Sequence, residues 1–218
     1  MLYQGLVHVR EDYVSSVGPW VWARDDVHGW IGPKMDWEVH HSQNIEKYCS
    51  TRLGPRSVVV QAGGCMGMYP RLLSEMFNTV YTFEPDPLNF HCLVANCQRD
   101  NIVKMNAALG ESSKQVGILR PESEPNNFGI RYISNSREAS DRIPMITLDS
   151  LMLNRCDLLM LDMEGYEENA LRGAELTINR HRPVVFVELG GRIEHFMKYL
   201  GYVPVGQSAA DVIFVHGA

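Results

Sequence analysis

Acidic residues and glycines directly follow strand-like runs of this sequence, where side chains that do chemistry are easily placed. Asp162 and Glu164 come after the apolar run LLML, and Glu84 comes after VYTF. In extended chain, residues i and i+2 project to the same side, so the sequence predicts that Asp162 and Glu164 face one crevice. Two carboxylates there could orient a hydroxyl group, and one of them could accept its proton.

A glycine-rich turn, QAGGCMG at residues 61–67, follows the run VVV. Glycines at a strand-to-helix turn let the backbone approach a ligand and leave helix N–H groups free to meet it. The G-x-x-x-G spacing of Gly63 and Gly67 disfavours a dinucleotide pyrophosphate site and fits a smaller nucleoside cofactor. An ordinary tight turn is the alternative interpretation.

Glu84 and Asn106 end two further strand-like runs. A carboxylate at the position of Glu84 can accept hydrogen bonds from both hydroxyls of a ribose, or it can stabilise the N-terminus of the next helix. The Asn106 amide could bind the amino edge of an adenine, with the small Ala107 leaving room for the ring. A turn without a ligand would use the same residues.

His40 and His41 are further candidates for a general base, with surface histidines as the alternative. Aromatic rings could form a platform for sugars, but the tryptophans are interpreted mainly as packing residues. All of them lie in the first fifty residues: Trp20, Trp22, Trp30 and Trp37. We find no His, Cys and Asp cluster with metal-ligand spacing and predict no metal.

The pattern of apolar and polar residues predicts an α/β fold from Ser57 onward. Strand-like runs alternate with helical patterns, and the final pair suggests a hairpin. These runs cover about residues 58–61, 80–84, 102–106, 157–162, 184–188, 202–205 and 211–215. Two extra strands are predicted at 115–119 and 129–133 around a polar loop, and residues 1–50 are predicted to be irregular.

Several short motifs together resemble the FkbM-type methyltransferases over about residues 57–215. They are QAGGCMGMY (61–69), TFEPDPLNF (82–90), Asn96, NAALG (106–110), ITLDSL (146–151), DLLMLDMEGYE (157–167), LRGA (171–174) and RPVVFVE (182–188). The resemblance implies a Rossmann-like class I methyltransferase sheet, mostly parallel with an antiparallel C-terminal strand and helices on both faces. It also implies S-adenosylmethionine (SAM) as methyl donor, S-adenosylhomocysteine (SAH) as product, and a hydroxyl of a sugar, glycan or small metabolite as acceptor.

The resemblance also implies roles for individual residues. The residues implied to bind SAM are Gln61, Gly63, Gly64 and Gly67 at its methionine end, Glu84 and Pro85 at its ribose, Asn106 and Ala107 at its adenine, and Asp162. Asp162 and Glu164 are implied to lie between cofactor and acceptor, and His41 joins them as a catalytic candidate. The family usually has Asp where Gln61 stands, Asn where Cys65 stands and often Lys where Met160 stands. Gln61 offers no charge to the ammonium group of SAM.

Composition limits the classes of partner. A chain of 218 residues with 45% hydrophobic residues forms one domain, here a SAM-binding core over 57–218 with an aromatic extension over 1–56. The net charge of −6 disfavours nucleic acid and anionic membrane surfaces, and no apolar stretch approaches the ~20 residues of a membrane span. Five scattered cysteines and a start without signal-peptide features predict reduced thiols and a cytoplasmic location.

Two other functions remain open at this point. An NAD-dependent oxidoreductase also combines a strand, a glycine turn and a distal acid, although its usual glycine spacing differs. A non-catalytic binding protein could keep the fold without turnover, and Gln61 favours that alternative. The sequence carries no signal for an oligomeric state.

Overall fold

A computed structural model describes residues 3, 5–15, 18–27, 37–134, 142–188, 192–208 and 210–217, with side chains except those of 10–15, 18–19 and 37–40. The strands are β1 (Val7–Ser15), β2 (Gly18–Ala23), β3 (Val58–Ala62), β4 (Thr79–Phe83), β5 (Ile102–Met105), β6 (Ala108–Leu109), β7 (Lys114–Leu119), β8 (Tyr132–Ser134), β9 (Arg142–Ile146), β10 (Leu158–Leu161), β11 (Val184–Glu188), β12 (Tyr202–Ser208) and β13 (Asp211–His216). The helices are α1 (Trp37–Cys49), α2 (Met68–Met76), α3 (Pro87–Asn96), α4 (Glu167–Arg172), α5 (Glu175–His181) and α6 (Ile193–Tyr199), with a 3₁₀ turn at Leu148–Leu151.

The main sheet has the strand order β12-β13-β11-β10-β3-β4-β5. Strands β3, β4, β5, β10 and β11 are parallel, whereas β13 runs antiparallel to β11 and β12. The chain winds outward from β3 in one direction and from β10 in the other, so a crevice opens between these strands at their carboxyl ends. The predicted fold class, including the antiparallel C-terminal strand, is confirmed.

The core lies on both faces of this sheet. Strand β10 is buried along its whole length because helices cover it from both sides, which explains why its sequence is a continuous apolar run. On one face Leu159 and Leu161 belong to a cluster with residues of α4, α5 and α6. On the other face Leu158 and Met160 belong to a cluster with residues of α1, α2 and α3. The main sheet therefore holds the crevice on a rigid base.

A second, smaller sheet with the order β6-β9-β7-β8 lies between β5 and β10 in the chain. The strand predicted at 115–119 is confirmed as β7. The strand predicted at 129–133 begins later, at Tyr132. Its first residues form a turn instead, in which the Phe128 N–H donates to the Asp26 carboxylate at 3.0 Å.

The first fifty residues are more regular than predicted. Strands β1 and β2 form an antiparallel hairpin, and α1 follows it. Trp20 and Trp22 alternate inward from β2 and are buried with Met66 and Phe128. The irregular interpretation was wrong because glycine and proline in the sequence masked this alternation. None of the helices in the described ranges is long and apolar enough to cross a membrane.

Candidate functional site

A cavity of about 280 Å³ opens at the carboxyl ends of β3, β4 and β10. The glycine turn and Glu84 form one side of it, and Asp162 and Glu164 form another. The hairpin contributes Trp22, and the turn before β8 contributes Phe128 and Arg131. The structure thus brings the predicted carboxylates and the glycine turn to one cavity. The hairpin and the turn before β8, which lie outside the main sheet, cover this cavity.

The glycine turn is held by the end of the neighbouring strand. The N–H groups of Gly63 and Gly64 both donate to the Phe83 carbonyl oxygen, at 3.1 and 2.9 Å, so they are not free for a ligand as the sequence suggested. Gly63 has a φ of +85°, and a Cβ there would overlap the Asp162 carbonyl oxygen. Gly63 is therefore required for the close approach of the turn to the chain after β10.

Gly67 lies behind the cavity wall, at the N-terminus of α2. Its φ is +97°, and a Cβ there would meet the Cys97 sulfur at 2.8 Å. Its glycine character allows close packing against α3, and its expected contact with a cofactor stays a prediction. Cys65, at the position where the family usually has Asn, also has a left-handed backbone, with φ +43°.

Gln61 is fully buried and is not among the residues that line the cavity. Its Nε2 donates to the Gly63 carbonyl oxygen at 2.8 Å, and its Oε1 accepts from the Thr82 hydroxyl at 2.7 Å. The parallel register pairs Gln61 with Thr82 across β3 and β4, which fixes this arrangement. The Gln61 amide thus holds the glycine turn, and its expected hydrogen bond to the amino acid end of SAM stays a prediction.

Glu84 lies in the cavity wall immediately after β4, with 5% of its surface exposed. Its Oε2 accepts from the Cys65 N–H at 2.7 Å, and its Oε1 accepts from the Asp86 N–H at 2.8 Å. Each carboxylate oxygen has two lone pairs, so these bonds leave capacity for two more. Burial raises the pKa of Glu84 to about 8, although both backbone hydrogen bonds oppose the rise.

Asp86 joins the same wall to the second sheet, a link that sequence reasoning missed. Its Oδ1 accepts from the N–H groups of Leu88 and Asn89 and so begins α3 as an N-cap. Its other oxygen forms an ion pair with Arg131, whose guanidinium lies 3.9 Å from the centre of the Phe128 ring. No periodic pattern could reveal this pair, because its partners are 45 positions apart.

The predicted adenine side of the cavity is mainly apolar. Ala107 and Pro85 lie in the wall, together with Leu109, Ile118 and Ile133 of the second sheet. Asn106 lies behind the wall, where its amide donates to the carbonyl oxygens of Glu84 at 2.8 Å and Pro85 at 3.0 Å. Both amide hydrogens hold the turn after β4, and contact of Asn106 with an adenine ring stays a prediction.

Asp162 and Glu164 both line the cavity, although not by strand alternation. Strand β10 ends at Leu161, and Glu164 has a left-handed φ of +54°. Burial, followed by the charges of Asp211 and Glu164, raises the pKa of Asp162 to about 7. Burial and the charge of Glu188 raise the pKa of Glu164 to about 7 as well. A cation bound beside them would be favoured electrostatically.

His41 is buried outside the cavity wall and contacts Tyr69 and Asp211. The side chain of His40 lies outside the described part of the structure, as do Trp30 and the side chain of Trp37. Trp20 and Trp22 are 5% and 2% exposed, in agreement with the packing interpretation. The Trp22 ring N–H donates to Asp26 at 2.7 Å.

The cavity fits a nucleoside bearing a positive charge. Glu84 can accept bonds from a ribose diol, the apolar wall beside Ala107 can take a flat ring, and Asp162 lines the same cavity. Among the described residues, no group of three or more His, Cys, Asp or Glu side chains is arranged to hold a metal ion.

Comparisons with known proteins agree with this geometry. A family model described as the methyltransferase FkbM domain matches residues 70–208. A crystal structure of methyltransferase FkbM from Methylobacillus flagellatus KT is similar with a TM-score of 0.50 and 17% identity, and the match covers 73% of this chain and 43% of that one. The chain thus spans less than half the length of that protein.

Other solved structures share weaker similarity. One is an rRNA methylase from Streptococcus thermophilus, with a TM-score of 0.46, 13% identity, and coverage of 82% of this chain and 93% of that chain. A search of curated proteins finds no match. The domain match extends over more than half of the sequence, and it includes Glu84, Asp162 and Glu164. The chain therefore belongs to the FkbM methyltransferase family.

Proposed function

We propose that the protein transfers a methyl group from SAM to a hydroxyl oxygen of a sugar, glycan or small metabolite. The observation that carries this proposal is the position of Glu84 and the pair Asp162 and Glu164 on the walls of one cavity. Family membership supports the choice of SAM, and the charges of the cavity support a small cationic cofactor over a polyanion.

Glu84 would bind the ribose through the two lone pairs that its backbone bonds leave open. Ala107 and Pro85 would contact the adenine, and the backbone of Gly63 and Gly64 would face the methionine portion. Asp162 is close to the turn, since Gly63 approaches the Asp162 carbonyl group so tightly that no side chain fits. These residues would therefore aim the reactive centre toward Asp162 and Glu164.

When bound, SAM supplies an electrophilic methyl group on a positively charged sulfur. The task of the protein is then mainly to hold an acceptor oxygen in line with it, and such positioning can contribute up to ~7–11 kcal/mol. Asp162 and Glu164 can accept hydrogen bonds from acceptor hydroxyls, which suits sugars because they offer neighbouring hydroxyl groups. Because the pKa values of both groups are raised to about 7, a nearby positive charge would shift them toward the ionised form.

Calorimetry with SAM, SAH and NAD tests the cofactor. We expect binding of SAM and SAH and none of NAD. Incubation with SAM labelled in its methyl group and a panel of methyl glycosides then tests the reaction. Label in an alkali-stable methyl ether is expected, and Glu164→Gln should reduce its formation while SAH still binds. Binding of NAD alone would contradict the proposal, and SAM binding without transfer to any hydroxyl compound would favour a non-catalytic protein.

A further inference from the structure

Three buried or half-buried side chains form a hydrogen-bonded chain that begins at the cavity. Tyr69 lies in the cavity wall with Asp162 and Glu164. Its hydroxyl is 3.4 Å from Nδ1 of His41, and Nε2 of His41 is 3.2 Å from the Asp211 carboxylate. These side chains thus lead from the cavity wall to a carboxylate in the protein interior.

Separate elements bring these residues together. Tyr69 is in the first turn of α2, directly after the glycine turn, whereas His41 is on α1 and Asp211 begins β13. The His41 ring stands edge-on to the Tyr69 ring, with centroids 5.0 Å apart, and it also packs against Phe186. Such packing holds the imidazole in one orientation.

The burial of this group is costly unless it is used or well paired. The side chains of His41 and Asp211 are 2% and 7% exposed. Asp211 lies opposite Glu188 in the pairing of β13 with β11, and, in addition to burial, its charge raises the pKa of Asp162. His41 and Asp211 therefore lie near other acidic groups. An apolar pair of similar size would join α1 to β13 without burying a charge.

We propose that Tyr69, His41 and Asp211 form a proton relay that receives the proton of the acceptor hydroxyl. This inference rests on the proposed methyl transfer. The relay requires one tautomer of His41, in which Nε2–H donates to Asp211 and Nδ1 accepts from the Tyr69 hydroxyl. Tyr69 is the catalytic residue of the three, whereas His41 and Asp211 act through it.

The proposed step balances as follows. The acceptor oxygen forms a bond to the methyl carbon while the methyl–sulfur bond breaks, and the electron pair of that bond remains on sulfur. The acceptor proton passes to the Tyr69 oxygen as the Tyr69 proton passes to Nδ1 of His41. The resulting imidazolium is stabilised by the Asp211 carboxylate and later releases its proton to solvent.

The relay and the carboxylates of the cavity bind different hydroxyl groups of the acceptor. The attacking hydroxyl donates to Tyr69, and a neighbouring hydroxyl of the same acceptor donates to Asp162 or Glu164. This arrangement selects acceptors with at least two adjacent hydroxyl groups, as in a sugar. A simple monohydric alcohol would lack the second anchor.

Nitrogen-15 NMR of the labelled protein tests the relay without any acceptor. The relay predicts that the resting His41 carries a proton on Nε2 and none on Nδ1. Tyr69→Phe should shift the Nδ1 resonance by removing its donor, whereas Tyr48→Phe should leave it unchanged. Tyr48 is a matched control because it is on α1 and donates to the Val205 carbonyl oxygen outside the cavity wall. A protonated Nδ1, or an Nδ1 resonance insensitive to Tyr69→Phe, overturns the relay.

Turnover with a labelled glycoside from the acceptor panel provides the second test. Tyr69→Phe and His41→Gln should each lower kcat by about 10²-fold or more, with KM for SAM and SAH affinity changed less than about threefold. The double variant should be little slower than either single variant, because both belong to one unit. Unchanged kcat in Tyr69→Phe overturns the relay. If the wild-type protein does not bind SAM, the proposed function is wrong. The NMR experiment would still show whether Tyr69 and His41 are hydrogen-bonded.

Discussion

Arg131 and Asp86 form an ion pair at the rim of the cavity, with side-chain exposures of only 3% and 7%. Asp86 also begins α3, and Arg131 lies over Phe128 in the turn that covers the cavity. The Asp86 carboxylate therefore holds both the N-terminus of α3 and the turn that contains Arg131. The stability of the cofactor wall should depend on this pair.

Arg131→Met is expected to destabilise the protein strongly. It leaves the Asp86 charge buried without its partner, and breaking a buried pair in this way typically costs about 3–5 kcal/mol. Urea denaturation measures the change. Arg99→Met is the matched control, since the Arg99–Glu75 pair is 42% and 50% exposed and such pairs contribute only about 0–1 kcal/mol. Equal losses in the two variants would contradict the role given to Asp86.

Glu84→Ala should weaken SAH binding by about tenfold or more. Above pH 8, where Glu84 is ionised, two ribose hydrogen bonds to the carboxylate contribute ~1.5–3 kcal/mol each, and the substitution removes both. Because Glu84 also accepts the Cys65 N–H, Glu84→Gln is a useful second variant: it keeps acceptor capacity on one oxygen and should bind with intermediate affinity. Calorimetry that finds wild-type affinity in Glu84→Ala would contradict the ribose assignment.

Stability should fall as pH rises from about 5 to 8. The pKa of Asp162 is raised to about 7 and that of Glu84 to about 8, so the folded protein holds protons that the unfolded chain releases above pH ~4–5. Each group can then contribute a loss of at most about 1.4 kcal/mol per pH unit until its folded pKa is passed.

Asp162→Asn should flatten this pH dependence and raise the stability at pH 8. Asp100→Asn, at an exposed position, should leave the dependence as it is in the unaltered protein. Urea midpoints at pH 5, 6, 7 and 8 provide the measurement. A steeper decline in Asp162→Asn would show that another group controls the effect.

Gly63→Ala should prevent the glycine turn from forming correctly. A Cβ at Gly63 would overlap the Asp162 carbonyl oxygen, in addition to the strain of its positive φ. Gly165→Ala has nearly the same φ, +89°, but nothing within 4 Å of the added Cβ, and should cost only about 1 kcal/mol. Thermal unfolding of both variants separates steric overlap from backbone strain, and similar losses would rule out the overlap.

The sequence predicted the polar strand ends correctly because strand runs and their ends are local features. Glu84, Asp162 and Glu164 meet in the cavity as predicted, but the turn at Glu164 was not visible from alternation alone. Gln61 and Asn106 had suitable chemistry for ligand contact. In the structure their amides donate to nearby backbone carbonyl oxygens, which the sequence alone did not indicate.

The cover of the cavity could not be predicted for a different reason. It depends on contacts between distant segments, such as the bond from Phe128 to Asp26, which are 102 positions apart. Neither residue belongs to a periodic pattern that would indicate its partner. The relay from Tyr69 to Asp211 likewise joins three elements whose association follows from the sheet order.

The hairpin is attached to the core through Asn96 in a way that does not depend on the side chain of Val21. The Asn96 amide bonds the N–H and the carbonyl oxygen of Val21 and also the carbonyl oxygen of Met66, each at 2.7 Å. All three partners are backbone atoms, so Asn96 fixes the position of β2 whatever residue stands at position 21. Position 21 can therefore be changed while the docking of β2 on α3 is retained, whereas the buried Trp20 and Trp22 on either side of it cannot be exchanged without loss of packing.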